Sequence, residues 1–177
     1  MAACSSRRSG LRPYRLDHGP TARIGAGSSV TEAAQIVCPH CDTANRVPVA
    51  RLADRPLCGA CRKPLFEGSP VALSDERFRR HLRLSGIPLL VDFWASWCGP
   101  CRLMGPALEE AAAQLQPRIR AVKVSTEEAP QLAQELGIRS IPTLVLFAGG
   151  RELARRVGVA SAGQIVGWAS EAGNRAG

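Results

Sequence analysis

Cysteine spacing constrains this chain more than any other feature. Six of its seven cysteines form pairs with the same two-residue gap, at positions 38/41, 58/61 and 98/101, and Cys4 is left over. A disulfide across so short a loop removes little chain entropy, so repeated pairs of this kind are rare as structural bridges in secreted proteins. Metal binding and thiol–disulfide exchange both use this spacing. The pairs therefore predict a metal site, a redox site or both, in a reducing compartment.

The composition allows one domain with a packed core and a small additional unit. The chain has 177 residues, 45% of them hydrophobic, and a formal net charge of +8 that is spread along the sequence. Because no segment is a basic block, we expect no nucleic-acid partner. No stretch reaches the roughly 20 apolar residues of a membrane span, and the N-terminal region lacks the apolar core of a secretory signal. We therefore expect a cytoplasmic protein without a membrane partner.

Three zones divide the chain. Residues 1–35 are rich in Arg, Ser and Gly without a hydrophobic period, and we interpret them as a disordered or mis-annotated N-terminal extension. Residues 36–67 are rich in turns and poor in apolar side chains. A unit of this size needs disulfides or a bound metal ion to be stable. Residues 68–177 contain the main domain.

The main domain alternates helices and strands. Its predicted order is α, β, α, β, α, β, β, α, with buried strands at 88–94 and 143–147 and a hairpin turn at Gly149-Gly150. The helix predicted over 102–116 contains Pro106, where we expect a kink. Such alternation predicts an α/β fold with a mixed central sheet and helices on both faces.

The third cysteine pair lies where a predicted buried strand gives way to a helix. The sequence there is Trp97-Cys98-Gly99-Pro100-Cys101. The partial positive charge and free N–H groups of a helix N-terminus favour the Cys98 thiolate, which is the nucleophilic form. Cys101, one turn into the helix, is expected to be shielded and able to close a disulfide. Gly99 and Pro100 permit the tight entry into the first turn.

Further residues suggest chemistry beside this pair. Asp92 interrupts an apolar strand, and burial should raise the pKa of its carboxyl group, which suits a proton acceptor for Cys101. The alternative is a structural aspartate with satisfied hydrogen bonds. Lys123, on the next predicted strand, can offset its charge. Ile141-Pro142 precedes a buried strand, where a proline fits either a cis peptide beside the sulfurs or an ordinary strand edge.

The first two pairs fit a single metal ion. Cys38, Cys41, Cys58 and Cys61 offer four thiolates, and the sixteen residues between the pairs are typical of closed tetrahedral zinc sites. We expect one structural zinc ion and no bound organic cofactor. Two labile disulfides or a separate redox site at the Cys-Pro-His-Cys sequence are the alternatives. No buried strand precedes that sequence and no amphipathic helix follows it, so His40 is expected to be an exposed turn residue.

Residues 88–168 resemble the thioredoxin family throughout. The resemblance is carried by the sequences VDFWASWCGPC, VKVSTE and GIRSIPTLVLF. With the sequence VCPHC…NRVP…CGACRKPLF in front, residues 36–172 are similar to bacterial thioredoxin 2, the thioredoxin family with an N-terminal zinc ribbon.

The resemblance implies a thioredoxin fold and a general protein-disulfide reductase. Cys98 would attack the substrate disulfide, Cys101 would resolve the mixed disulfide and Asp92 would act as the buried acid/base. The residues implied to shape the site are Trp94, Trp97, Gly99, Pro100, Lys123, Ile141 and Pro142. The implied partners are disulfide-containing proteins and the NADPH-dependent flavoprotein thioredoxin reductase. The zinc site would be structural or redox-responsive, and we expect a monomer.

Two other functions have weaker support. A zinc-ribbon binding module, with the second domain as a passenger, would need a more basic or more aromatic ribbon. An oxidase or isomerase would need a more oxidising dipeptide than Gly99-Pro100 and a secretory signal.

Overall fold

The computed structural model describes residues 32–174. The strands of this range are β1 (Ala33–Val37), β2 (Ala44–Pro48), β3 (Val71–Ala72), β4 (Leu89–Trp94), β5 (Arg120–Ser125), β6 (Thr143–Ala148) and β7 (Arg151–Val157). Its helices are α1 (Asp75–Leu84), α2 (Gly99–Leu115), α3 (Pro130–Glu135) and α4 (Ala162–Asn174), with a short 3₁₀ helix at Val49–Arg51. The expectations for residues 1–31 lie outside the described residues.

The N-terminal unit, residues 33–67, is called the ribbon below. Strands β1 and β2 form its antiparallel hairpin, with Ala33 opposite Pro48 and Val37 opposite Ala44. The first strand begins at Ala33, three residues before the predicted boundary at 36, because the hairpin register extends back to Pro48. Residues 33–35 therefore belong to the ribbon and not to the N-terminal extension.

The predicted α/β fold of the main domain is confirmed. Its five-stranded sheet has the order β3-β5-β4-β6-β7. Strand β5 is parallel to β3 and β4, whereas β6 is antiparallel to β4 and β7. The sheet is therefore mixed, and the hairpin predicted at Gly149-Gly150 joins β6 to β7.

Two cores cover the two faces of the sheet. Side chains alternate between the faces along a strand, so on β4 Leu90 packs with helices α2 and α4, whereas Val91 packs with α1 and α3. Every residue of β4 except Trp94 is buried, as expected for a strand covered on both sides.

Local sequence accounts for the helix that carries the third cysteine pair. Helix α2 has Cys98 as its N-cap and a proline in its first turn, and it contains Pro106. The helix begins at Gly99, three residues before the predicted span 102–116, because Cys98 caps it and Cys101 lies in its first turn. No helix among the described residues is long and apolar enough to cross a membrane.

Candidate functional site

Cys98 and Cys101 form a disulfide at the N-terminus of helix α2. Their Cα atoms are 5.3 Å apart. The backbone N–H of Cys101 donates to Cys98 Sγ at 3.1 Å, so one of the free amides of the first turn is directed at this sulfur. A thiolate at Cys98 would keep that donor and the field of the helix. The geometry thus favours ionisation of Cys98 over Cys101.

Exposure alone does not separate the roles of the two cysteines. Cys98 and Cys101 are each 4% exposed, so the shielding predicted for Cys101 applies equally to its partner. The difference lies in position, since Cys98 caps the helix and Cys101 lies inside it. The neighbouring Trp97 is 69% exposed and presents a large apolar surface at the site.

A small apolar cluster encloses the disulfide. Ala95 is buried with the two cysteines, and Trp94 and Ile141 pack against them. The carbonyl oxygen of Ile141 lies 3.8 Å from Cys98 Sγ, and the Ile141–Pro142 peptide bond is cis. The structure therefore brings the loop before β6 next to the sulfurs, although this loop lies some forty residues away along the chain.

Asp92 is a buried carboxylic acid on β4. It is 2% exposed, and burial raises its pKa to about 7, against the opposing effect of the Lys123 charge. Its Oδ1 atom has no hydrogen-bond partner among residues 32–174. The described protein groups therefore leave one carboxyl oxygen without a donor, which favours the proton-acceptor interpretation over a structural aspartate held by protein hydrogen bonds.

Lys123 lies on β5 directly opposite Asp92. Its ammonium nitrogen is 4.6 Å from the centroid of the Trp94 ring, a distance at which the ring face attracts a cation. Trp94 therefore helps to hold the positive charge that opposes the pKa rise of Asp92.

The loop between β4 and α2 is held by two residues that sequence reasoning missed. The N–H of Ser96 donates to Glu127 Oε2 at 2.7 Å, and its carbonyl accepts from Arg102 Nη1 at 3.0 Å. A proline at position 96 could not donate that bond. No local pattern in the sequence indicates it, because Glu127 lies 31 residues away.

The four remaining described cysteines converge into one cluster. The metal-binding atoms of Cys38, Cys41, Cys58 and Cys61 all lie within 4.8 Å of one another. Cys38 Sγ is 3.6 Å from Cys61 Sγ, and Cys41 Sγ is 3.7 Å from Cys58 Sγ. A tetrahedron with zinc–sulfur bonds of about 2.3 Å has edges of about 3.8 Å. The spacing of the four sulfurs therefore fits a zinc ion.

The two cysteine pairs lie in two separate turns of the same kind. In the first, Cys38 N–H donates to the Thr43 carbonyl and Asp42 N–H donates to the Cys38 carbonyl. In the second, Cys58 N–H donates to the Lys63 carbonyl and Arg62 N–H donates to the Cys58 carbonyl. The residue after each second cysteine, Asp42 or Arg62, has a positive φ, 56° and 64°. This repeated turn directs the sulfurs of each pair toward one centre.

Local contacts change the ionisation of these thiols in opposite directions. Burial raises the pKa of Cys38 to about 12, whereas the backbone N–H groups of Cys61 and Ala60 lower the pKa of Cys58 to about 6.

His40 is exposed and its Nε2 lies 3.3 Å from Glu67 Oε1. His40 is therefore outside the four-sulfur cluster, as its sequence context predicted.

Polar side chains of helix α1 hold the first turn of the ribbon. Arg77 binds both carboxylate oxygens of Asp42 and donates to the Pro39 carbonyl at 2.6 Å. The buried His81 lies 3.0 Å from Asp42 Oδ1. Sequence reasoning missed these residues, since nothing local marks a helix arginine as the partner of an aspartate 35 residues earlier.

Comparison with known proteins agrees with this geometry. The thioredoxin family model matches residues 69–171, and the model of the thioredoxin 2 N-terminal zinc ribbon matches residues 37–63. Thioredoxin C-3 of Corynebacterium nephridii is 39% identical over 133 residues, which cover 75% of this chain and 91% of that protein. The chloroplastic M-type thioredoxin of Chlamydomonas reinhardtii is 38% identical, covering 68% of this chain and 88% of its own length.

Solved structures show the same relationship. Chloroplastic thioredoxin z aligns with a TM-score of 0.55 at 32% identity, covering 62% of this chain and 96% of its own. A thioredoxin of Malassezia sympodialis aligns with a TM-score of 0.55 at 30% identity, covering 60% and 93%. With the family match over residues 69–171 and the disulfide at the start of α2, this chain belongs to the thioredoxin family of thiol–disulfide oxidoreductases and carries an N-terminal ribbon of the thioredoxin 2 type.

Proposed function

We propose that this chain is a general protein-disulfide reductase that acts through Cys98 and Cys101. The observation that carries the proposal is the pair's position at the N-terminus of α2, with an amide of the first turn directed at Cys98 Sγ. This donor stabilises a thiolate more than a thiol, and the thiolate is the form that attacks a disulfide. Cys98 is therefore the attacking residue.

The reaction transfers two electrons from the dithiol to the substrate. The Cys98 thiolate attacks one substrate sulfur, the substrate S–S bond breaks and the other sulfur leaves as a thiolate that takes up a proton. Cys101, once deprotonated, attacks Cys98 Sγ in the mixed disulfide, which releases the second substrate thiol. The products are a reduced substrate and the Cys98–Cys101 disulfide found in the structure.

Asp92 is the proposed acceptor of the Cys101 proton. Its pKa of about 7 means that the carboxyl group can both gain and lose a proton near neutral pH, which is the property an acid/base residue needs. The Oδ1 atom that lacks a partner among the described residues is available to accept. Lys123 keeps the pKa from rising further.

Exposed apolar surface beside the disulfide suits binding of many proteins. Trp97, the residue before Cys98, is 69% exposed, and Ile141 packs against the two cysteines. Apolar contacts are non-directional, so we expect a broad range of disulfide substrates. The oxidised pair would be recycled by the NADPH-dependent flavoprotein thioredoxin reductase, in the cytoplasm, where thiols stay reduced.

The ribbon is proposed to hold one structural zinc ion through Cys38, Cys41, Cys58 and Cys61. Zinc supplies four strong bonds at the centre of a unit whose own apolar core is small. Two sulfurs come from each of the two equivalent turns, so the four protein ligands leave no open coordination position. The site is therefore structural and not catalytic.

Coupled reduction of insulin tests the proposed reductase activity. Reduced insulin should accumulate when NADPH and thioredoxin reductase are present, and Cys98→Ser should lower the rate by at least about 100-fold because the attacking sulfur is removed. Cys4→Ser is the matched control, since it removes a cysteine outside the pair and should leave the rate unchanged. Wild-type activity retained in Cys98→Ser would contradict the proposal.

A further inference from the structure

Arg120 carries a buried positive charge into the contact between the ribbon and the main domain. It is the first residue of β5 and is 2% exposed. Among residues 32–174, no carboxylate lies within the 4.0 Å ion-pair distance of its guanidinium. An ion buried without a counter-charge is strongly destabilising. The charge of Arg120 therefore needs an explanation that hydrogen bonding to neutral groups does not supply.

Within the part of the chain that the structure describes, the hydrogen bonds of this side chain are with the ribbon. Its Nη1 donates to the carbonyl of Val37, and its Nη2 donates to the carbonyl of Leu65 at 2.5 Å. The guanidinium carbon also lies 5.1 Å from the centroid of the Phe66 ring. Val37 directly precedes Cys38, so these contacts bring the guanidinium next to the cluster.

With zinc bound, the four-cysteine cluster would supply negative charge beside Arg120. Four thiolates around a divalent ion leave a net negative charge at the site. Cys38 is completely buried, and a buried thiolate is unfavourable unless a positive charge lies near.

Other basic side chains near the first turn do not provide a buried, uncompensated charge. Arg80 donates to the Asp42 carbonyl at 2.8 Å but is exposed to solvent. Arg77 is bound by both carboxylate oxygens of Asp42, which neutralise it locally. His81 is buried with a pKa lowered to about 4, chiefly by burial, so it is neutral at physiological pH. Arg120 is thus the buried cation of this interface whose charge no carboxylate cancels among the described residues.

We propose that Arg120 is a positioning residue whose charge stabilises the four-thiolate metal centre, so that the main domain contributes directly to the zinc affinity of the ribbon. This inference rests on the zinc site of the proposed function. It assigns a strand residue of the main domain to the metal site, although the residue does not touch the ion and lies 83 residues from its carbonyl partner Val37.

Four full-length variants separate the charge of Arg120 from its hydrogen bonds. Arg120→Lys keeps the charge, Arg120→Gln keeps a donor without charge, and Arg120→Met keeps neither. Arg155→Met is the matched control, because Arg155 also donates to two carbonyls, those of Leu136 and Gly137, but on the main domain away from the ribbon. Zinc affinity is measured on the reduced proteins by competition with a chromophoric chelator, and Co²⁺ absorption reports four-sulfur coordination.

We expect the zinc Kd of Arg120→Met and of Arg120→Gln to be at least about 10-fold higher than that of the wild type. This is within the range found for residues that hydrogen-bond to metal ligands. Arg120→Lys should recover most of this loss, and Arg155→Met should match wild type. Insulin reduction by each variant shows that the main domain is folded. Arg120→Gln with wild-type affinity, or Arg120→Lys as weak as Arg120→Gln, would overturn the charge role. A wild-type chain that binds no zinc would instead remove the metal site itself, and with it this role.

Discussion

Asp92 and Arg120 are buried to the same extent but have different roles in this protein. Asp92 and Arg120 are each 2% exposed, and burial shifts each pKa toward the neutral form, to about 7 for Asp92 and about 10 for Arg120. At neutral pH the carboxyl group is therefore divided between its two forms, whereas the guanidinium stays charged. The first residue can exchange a proton during a reaction, and the second can serve as a fixed charge.

Asp92→Asn should slow the step in which Cys101 resolves the mixed disulfide. The amide is similar in shape but cannot accept the proton, so we expect a rate loss of at least about 10-fold at pH 7. The wild-type rate should rise through pH 7 as the carboxyl group ionises, and the variant should lose this dependence. Rapid-mixing fluorescence of Trp94 and Trp97 can follow the step, and an unchanged pH profile would contradict the assignment.

The same variant should change how stability depends on pH. The carboxyl pKa is raised from 3.8 to about 7 on folding, so between these values the native state binds more protons than the unfolded state. Stability of the wild type therefore falls as pH rises across this window and levels off above it. Asp92→Asn should remove that fall and be more stable than wild type above pH 7, by up to about 4 kcal/mol. Urea unfolding at pH 4 and pH 8 measures the difference.

Sequence reasoning identified one of these two residues and missed the other. A carboxylate within the apolar run of β4 is a local conflict, and such conflicts are visible in the sequence. Arg120 begins a strand in a chain that contains many arginines, and its carbonyl partners lie 83 and 55 residues away. No local sequence pattern indicates contacts between residues so far apart, so the role of Arg120 could be recognised only from the folded structure.

At the level of elements, the ribbon hairpin packs closely against the connection between α1 and β4. The N–H of Gly86 donates to the carbonyl of Gln35 at 2.7 Å. A Cβ atom at position 86 would lie 2.7 Å from the Gln35 nitrogen and 3.2 Å from its oxygen. Glycine is therefore required here by the closeness of two backbones.

Gly86→Ala should weaken the attachment of β1 to the main domain. Because the contact is backbone on both sides, the chain must shift, and we expect a loss of about 1–3 kcal/mol. Gly105→Ala is the control, since a Cβ there meets nothing within 4 Å and alanine is the better helix former. Thermal unfolding of both variants compares the two, and equal melting temperatures would argue against the close contact.

Elements with a strong local signal were predicted and short ones were not. The apolar runs of β4 and β6 and the turn at Gly149-Gly150 identify the centre of the sheet. Strand β3 has only two residues and exists through its pairing with β5, so no periodicity could reveal it. The ribbon hairpin was likewise missed because its two strands do not alternate regularly between buried and exposed residues.

For the molecule as a whole, the ribbon has a core of its own. Ile36, Cys38, Val47, Cys58, Leu65 and Ile87 form it, separate from the two cores that cover the sheet. Only Ile87 in this set comes from the main domain. The redox pair belongs to a further cluster around Ala95, so the two sites share no apolar packing.

Removal of the metal should therefore unfold the ribbon and leave most of the reductase activity. We expect insulin reduction within about twofold of the untreated protein after chelation under reducing conditions, because the ribbon core depends on the metal and the sheet cores do not. Limited proteolysis should then cut within residues 33–67. Readdition of zinc is the control and should restore resistance, whereas activity that falls in proportion to metal removed would show that the sites are coupled.

The place where the ribbon attaches also decides what can reach the sulfurs. Arg120 and Gly86 lie at or before the starts of β5 and β4, whereas Cys98 follows the end of β4. The six residues of β4 span about 20 Å as extended chain. A bulky folded client can therefore approach the dithiol without steric hindrance from these attachment points.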